Sequence, residues 1–309
     1  MFNRMLALVV GVWILAVQAS PAALPGDETT TPLRGNLTTT GSDSLNSLMQ
    51  VWSLHFMRQY PELNVQIQAG GSATAAVALT ESTASLGPMS RLMTATERQR
   101  FERVHGYPPL AIPVALETLA VFVHRSNPLR AIRLSELEQL FSVEPQCQSA
   151  KALRYWRDLG LTGPLSQRTV ALFGRNSASG TYGFLKQQLL CHGDFRPELH
   201  ELPGAAAVIQ AVALAENGLG IAGARHQSAA VRRLQLLNEQ HDVIELQRSL
   251  YIYLNYHPDT AAGMAELAFL RMVLSDSGQQ LAVEHGYEAL PTEQRSLLLQ
   301  QLGVKQNAS

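Results

Sequence analysis

The chain has 309 residues, too many for one small core, so two lobes are the natural expectation. Charged residues make up 16%, low for a cytosolic enzyme, and the formal net charge of -1 leaves no basic footprint for a nucleic-acid partner. Aromatic residues are 6% and are not interleaved with Arg or Lys.

The N-terminus reads as a targeting segment. Arg4 supplies a positive start, and the apolar run from Met5 to Val17 is too short for a comfortable membrane span. Val17-Gln18-Ala19 offers small residues for cleavage, which gives a signal peptide over 1–19. An uncleaved anchor is the alternative. With no Cys beside the cleavage point, a lipid anchor is excluded. Residues 20–34, with Pro, Gly, Asp and Thr, read as a mobile leader.

Gly41-Ser42-Asp43-Ser44 then opens an amphipathic stretch with Leu45, Leu48, Met49, Trp52 and Phe56 at helical spacing, and Ser44 is placed as its N-cap. Asn64 to Gln68 alternates like a strand. The loop Gly70-Gly71-Ser72-Ala73-Thr74 leads from it into a second helical stretch, Ala75 to Thr80. A further loop, Gly87-Pro88-Met89-Ser90-Arg91, ends the next short strand. Thr94 and Glu97 form a capping box for a helix. Pro113 to Val123 is a long apolar, β-prone run, and Ser249 to Leu254 is another. Between them, Ser135-Glu136-Leu137-Glu138 reads as a helix start. Asp276 to His285 reads as a helix stopped by Gly286.

The richest stretch is Arg175-Asn176-Ser177-Ala178-Ser179-Gly180-Thr181. It follows the β-prone run Thr169 to Phe173 and precedes a helical segment, Thr181 to Leu190. A strand that turns through small residues into a helix leaves backbone N–H groups free at the positive end of the helix dipole, which is an anion site. Arg175 adds a permanently charged fork, and Ser179 and Thr181 add hydroxyls. A structural turn with a surface arginine is the plainer reading of this stretch alone. Several hydroxyl-rich strand-to-helix loops in one chain weigh against it, because open α/β sheets bind ligands at such loops.

Taken in this order, these motifs resemble the periplasmic phosphate-binding proteins of phosphate ABC transporters, a cluster-type family of solute receptors. The resemblance covers most of the chain beyond the leader. It rests on Gly41 to Leu45, Gly70 to Thr74, the Ser90-Arg91 pair, Ala115 to Val123 before Asn127-Pro128, and Arg-x-x-x-Ser-Gly-Thr at Arg175 to Thr181. It ends with Phe269-Leu270, Val273-Leu274-Ser275, Gly278-Gln279 and Gly286-Tyr287. It implies a two-lobed α/β binding protein of type II, each lobe a central sheet flanked by helices, with two crossover hinge strands. Lobe I would hold 35–114 and 252–309, and lobe II 115–251. The implied phosphate ligands are Ser44, the Leu45 backbone, Ser72 and Ser90 from one lobe, and Arg175, Ser179, Gly180 and Thr181 from the other.

Two positions depart from the family's best-known pattern. Some members carry Asp where Ser90 stands, as acceptor for a phosphate proton, and some carry Asp where Ser177 stands, paired with the arginine. The proton acceptor is therefore unassigned. Glu117, near the expected hinge, is a candidate, and a solvated or hinge-pairing carboxylate is its plainer reading.

Cys147 and Cys191 are the only two cysteines, and in an exported chain such a pair is expected to form a disulfide; a free buried pair is the alternative. The nine His show no His-x-x-x-His spacing, so no metal or other cofactor is implied. The expected role is a monomeric periplasmic receptor that hands phosphate to an ABC permease. A sensor, scavenger or adhesin on the same fold is the alternative. A serine hydrolase or phosphatase is remote, since neither Ser72 nor Ser179 lies in Gly-x-Ser-x-Gly or Ser-x-x-Lys.

Overall fold

A computed structural model describes residues 33–147, 151–256 and 263–302. The expected signal peptide and most of the expected leader lie outside the described residues. The last two leader residues are described: Leu33 packs against the core, and Arg34 pairs with Glu62 at 2.8 Å.

The chain opens with alternating elements: β1 (Gly35–Gly41), α1 (Asp43–Gln59), β2 (Leu63–Ala69), α2 (Ser72–Thr80), β3 (Leu86–Met89) and α3 (Ala95–His105). The 15-residue strand β4 (Leu110–His124) follows, then β5 (Ala131–Arg133) and α4 (Leu134–Phe141). Next come β6 (Ala171–Arg175), α5 (Gly180–Gln188), β7 (His200–Leu202), α6 (Ala205–Leu214) and β8 (Gly218–Gly223). β9 (Val231–Arg233), β10 (Gln235–Leu237) and β11 (Val243–Ile244) lead to β12 (Leu246–Leu254). The helices α7 (Met264–Leu274), α8 (Asp276–Glu284) and α9 (Thr292–Gln301) complete the described chain.

Among the described residues nine strands form one sheet in the order β2-β1-β3-β12-β4-β8-β6-β7, with β9 against β4. β1 lies parallel to both β2 and β3, as short crossovers through helices require. At the other end β6 is parallel to β8 and β7. Between these ends, β12 and β4 run antiparallel to each other and to their outer neighbours. A separate three-stranded sheet, β11-β10-β5, covers part of the second end.

Apolar residues divide into two main cores along this sheet. β4 gives Ile112, Val114 and Ala115 to one, and Leu119, Val121 and Val123 to the other. β12 gives Leu250, Ile252 and Leu254 to the first and Leu246 to the second. Both strands therefore cross from one core to the other, so the β-prone runs Pro113 to Val123 and Ser249 to Leu254 fall on the two crossover strands that the resemblance implies. Their register shifts between Leu250 and Tyr251, where Pro113 lies opposite. Proline lacks the N–H that a regular ladder needs, so a bulge is where a central strand tolerates it.

The first core rests on the apolar face of α1, where Leu45, Leu48, Met49, Trp52 and Phe56 are buried. Trp52 Nε1 donates to Gly278 O at 2.7 Å and ties α1 to α8. The Thr94 and Glu97 capping box is present. Burial pushes the Glu97 carboxyl up, but the Arg91 fork at 2.7 Å and the Thr94 N–H prevail and hold it below its ordinary range.

Three local expectations need correction. The N-cap of α1 is Ser42, not Ser44, because the chain turns helical at Asp43. Helix α4 begins at Leu134, with Arg133 as its N-cap and Glu136 accepting the Arg133 N–H. Gly87, Pro88 and Met89, read as loop, belong to β3, where Gly87 and Pro88 lie opposite Tyr253 and Ile252 of β12.

Cys147 and Cys191 are joined in a disulfide, with Cα atoms 5.5 Å apart. Both residues are exposed. Beside them, the buried Glu138 carboxylate accepts the N–H groups of Gln146 and Cys147 at 2.7 Å each.

Candidate functional site

The order β2-β1-β3 brings three strand ends side by side, and with them the loops that carry Ser42 to Ser44, Gly70 to Ala73 and Ser90. The end of β6 brings Arg175 to Thr181 against them from the second core. Ser42 Oγ donates to Ser90 Oγ at 3.1 Å. Ser72 Oγ lies 3.3 Å from Ser90 Oγ and accepts the Ser90 N–H at 3.0 Å. These hydroxyls form one buried cluster.

The facing loop touches this cluster directly. Ala73 N donates to Ala178 O at 3.1 Å. Gly71, at φ 106°, lies so close that a Cβ there would stand 2.5 Å from Ala178 O. A Cβ on Gly180 would stand 2.3 Å from Ser90 Oγ and 2.4 Å from Ser72 Oγ. Ser179 is the N-cap of α5, its Oγ accepting from Thr181 N at 3.0 Å.

Arg175 is buried in this junction, its side chain 2% exposed. Its Nη1 donates to Asp43 Oδ2 and its Nη2 to Pro203 O, both at 2.8 Å. Asp43 Oδ2 also accepts the Ala205 N–H at 3.4 Å, at the start of α6. Burial pushes the guanidinium below its ordinary pKa, and Asp43 opposes that shift.

A second arginine closes the arrangement. Arg248 on β12 and Glu117 on β4 are register partners in the stretch where the crossover strands pass between the cores. Arg248 Nε and Nη2 donate to Glu117 Oε2 at 3.0 and 2.6 Å. The same Nη2 lies 2.9 Å from both Ser44 Oγ and Thr181 Oγ1. Glu117 thus pairs within the hinge and is not solvated.

On another side of the junction, Tyr287 Oη donates to Ser44 O at 2.5 Å, and the Arg225 guanidinium sits 4.9 Å from the Tyr287 ring centre. Burial pushes the Tyr287 hydroxyl up to about 12. Burial, reinforced by Arg225, lowers the His226 imidazole.

All eight residues expected to hold the anion lie in or beside this junction. The Leu45 side chain belongs to the first core, and its N–H lies 3.3 Å from Ser42 O. The carboxylate partner that Ser177 cannot supply to Arg175 is provided by Asp43. Asp43, Ser42 and Arg248 were not singled out from sequence. The available signal was a lone charge in each of two apolar strands, Glu117 and Arg248, which invites a buried pair.

The donor set is hydroxyls, helix N-termini and two guanidinium groups, each already matched by one carboxylate. Arg175 Nε and Arg248 Nη1 are buried with no hydrogen-bond partner. Such a set suits a small, compact oxyanion. Among the described residues no group of His, Cys, Asp or Glu is placed to hold a metal ion. No helix among them is long and apolar enough to cross a membrane.

The sequence matches the PBP superfamily domain over residues 26–261. It is 43% identical over 302 residues to the phosphate-binding protein PstS of Pseudomonas aeruginosa, covering 94% of each chain. Among solved structures, the fold resembles a putative phosphate ABC transporter substrate-binding protein with bound phosphate from Clostridium perfringens. That match has a TM-score of 0.68 at 17% identity and covers 83% of this chain and 100% of the other. An ABC-type phosphate transport receptor from Vibrio cholerae matches with a TM-score of 0.64 at 21% identity, covering 82% and 100%. The fold is shared with these structures, and the chain belongs to the PstS family within the PBP superfamily.

Proposed function

We propose that this protein captures inorganic phosphate between its two lobes and delivers it to an ABC permease. One observation carries the reading: hydroxyls, helix N-termini and Arg175 converge on one buried junction from two separately cored halves of the sheet. The ligand set is Ser44, the Leu45 backbone, Ser72, Ser90, Arg175, Ser179, Gly180 and Thr181. Lobe I spans 35–114 and 252–309 and lobe II spans 115–251; the separate cores support two lobes, with Ala115 and Leu250 packed in the first core. An anion that contacts both lobes favours the closed form over the open one, and β4 and β12 are the hinge.

The protein binds and does not turn over its ligand. Ser72 Oγ is engaged by Ser90, and Ser179 Oγ caps α5, so neither serine is held by a general base. The apolar N-terminal run directs export to the periplasm, where the disulfide is at home. The names of the relatives support the choice of phosphate and of a transporter as partner. Calorimetric titration of the purified, phosphate-stripped protein with phosphate, sulfate and molybdate tests the reading. One phosphate per chain is expected. Sulfate binding with phosphate silent, or steady hydrolysis of a phosphate ester, overturns it.

A further inference from the structure

The ligand set above contains one arginine. We infer that Arg248, carried on the crossover strand β12, is a second cationic ligand of the same anion, and that Glu117 is the residue that positions it. The inference rests on the reading that an oxyanion sits in the junction.

Three observations carry it. The first is burial: the Arg248 and Glu117 side chains are 2% and 3% exposed. A charged pair this dry is costly to retain for stability alone, since apolar residues of similar size do as well or better. The second is donor arithmetic. Arg248 Nη2 has two hydrogens for three acceptors: Glu117 Oε2, Ser44 Oγ and Thr181 Oγ1. Nη1 has two hydrogens and no acceptor, although it is buried. The guanidinium is thus over-subscribed on one side and unused on the other, and an anion supplies the missing acceptor.

The third observation is the polarity of the neighbouring hydroxyls. Ser44 Oγ and Thr181 Oγ1 lie equally close to Arg248 Nη2 and share the one hydrogen that Glu117 leaves; a hydroxyl that accepts it keeps its own O–H proton free to be donated elsewhere. Ser44 belongs to the start of α1 and Thr181 to the start of α5, one from each lobe. Arg248 therefore biases the hydroxyls on the two sides of the junction toward donating to an anion. Glu117 keeps the guanidinium in that place through Nε and Nη2 and matches its charge. Asp43 matches Arg175 in the same way.

The test is calorimetry on the full chain and three variants, with phosphate, sulfate and molybdate as probes and with melting temperature as a check on folding. Arg248→Gln should weaken phosphate binding roughly ten- to hundredfold, as the loss of one charge-assisted contact to a dry anion requires. Arg248→Lys keeps the charge without the fork and should fall between that variant and the parent. The decisive variant is Arg248→Gln with Glu117→Gln, which removes both charges and strands neither. If Arg248 is a ligand, the double variant stays as weak as Arg248→Gln. If Arg248 serves only to neutralise Glu117 and brace the hinge, the double variant recovers parent affinity, and the inference is overturned. A parent that binds sulfate and not phosphate overturns the phosphate reading, while Arg248 is then judged on sulfate. A parent that binds none of the three overturns both.

Discussion

Replacing Gly180 with alanine should separate ligand affinity from fold stability. The new Cβ would lie 2.3 Å from Ser90 Oγ and 2.4 Å from Ser72 Oγ, about 1 Å inside ordinary contact distance with each. Neither hydroxyl is free to retreat. Ser90 Oγ is held by Ser42 Oγ at 3.1 Å, and Ser72 Oγ accepts the Ser90 N–H at 3.0 Å. Both residues are fully buried. The strain is therefore relieved by parting the lobes, and overpacking of this kind costs roughly 1–3 kcal/mol. That cost falls on the closed form, so phosphate affinity should drop roughly 5- to 150-fold. The lobe itself should not suffer. Gly180 starts α5 and is not among the glycines with positive φ, so alanine there restricts the unfolded chain and adds about 0.4–1 kcal/mol to the open form. Calorimetry with phosphate and a melting curve without it read the two effects. A variant that binds like the parent would show that the lobes do not meet at this point when the anion is bound.

The remaining expectations are simpler. Reducing the Cys147–Cys191 disulfide should lower the melting temperature and leave phosphate affinity unchanged where both forms are folded; closing a loop across 44 positions is worth about 4 kcal/mol in the chain-entropy picture. A parallel loss of affinity would tie the disulfide to the anion site. Arg175→Ala should weaken phosphate binding at least roughly tenfold, since it removes a charged donor from a dry junction, and unchanged affinity would take Arg175 out of the site. His226, lowered by burial from an ordinary value of 6.5, binds protons more readily in the unfolded chain. Its contribution to stability is present above that ordinary value and is lost as pH falls toward the folded one. His226→Gln should therefore flatten the decline in melting temperature between about pH 7 and pH 5, and an unaltered slope would contradict the burial assigned to His226.

Local features of the site were legible because their signals are local. A β-prone run, a small-residue turn and a helix start sit next to one another around Arg175 to Thr181 and around Ser72. The crossover strands were legible as long apolar, β-prone runs, and their role as crossovers came from the family resemblance. What escaped depends on pairs far apart in sequence. Arg175 and Asp43 are 132 positions apart, and Arg248 and Glu117 are 131 apart. No spacing rule connects such positions; only the sheet order does. The N-cap of α1 escaped for the opposite reason, since Ser42 and Ser44 flank Asp43 and either hydroxyl fits the local pattern. Strand β8, Gly-Leu-Gly-Ile-Ala-Gly, was hidden by its glycines. They are there for close approach: a Cβ on Gly220 would lie 2.8 Å from Val212 and 2.9 Å from Val208 on α6.

A crystal structure of the protein with phosphate tests the central claim most directly. One anion is expected at the buried junction, contacted by Ser44, Ser72 and Ser90 from one lobe and by Arg175, Ser179 and Thr181 from the other, with Arg248 Nη1 turned onto it. A phosphate held by a single lobe, or bound away from these loops, would contradict it.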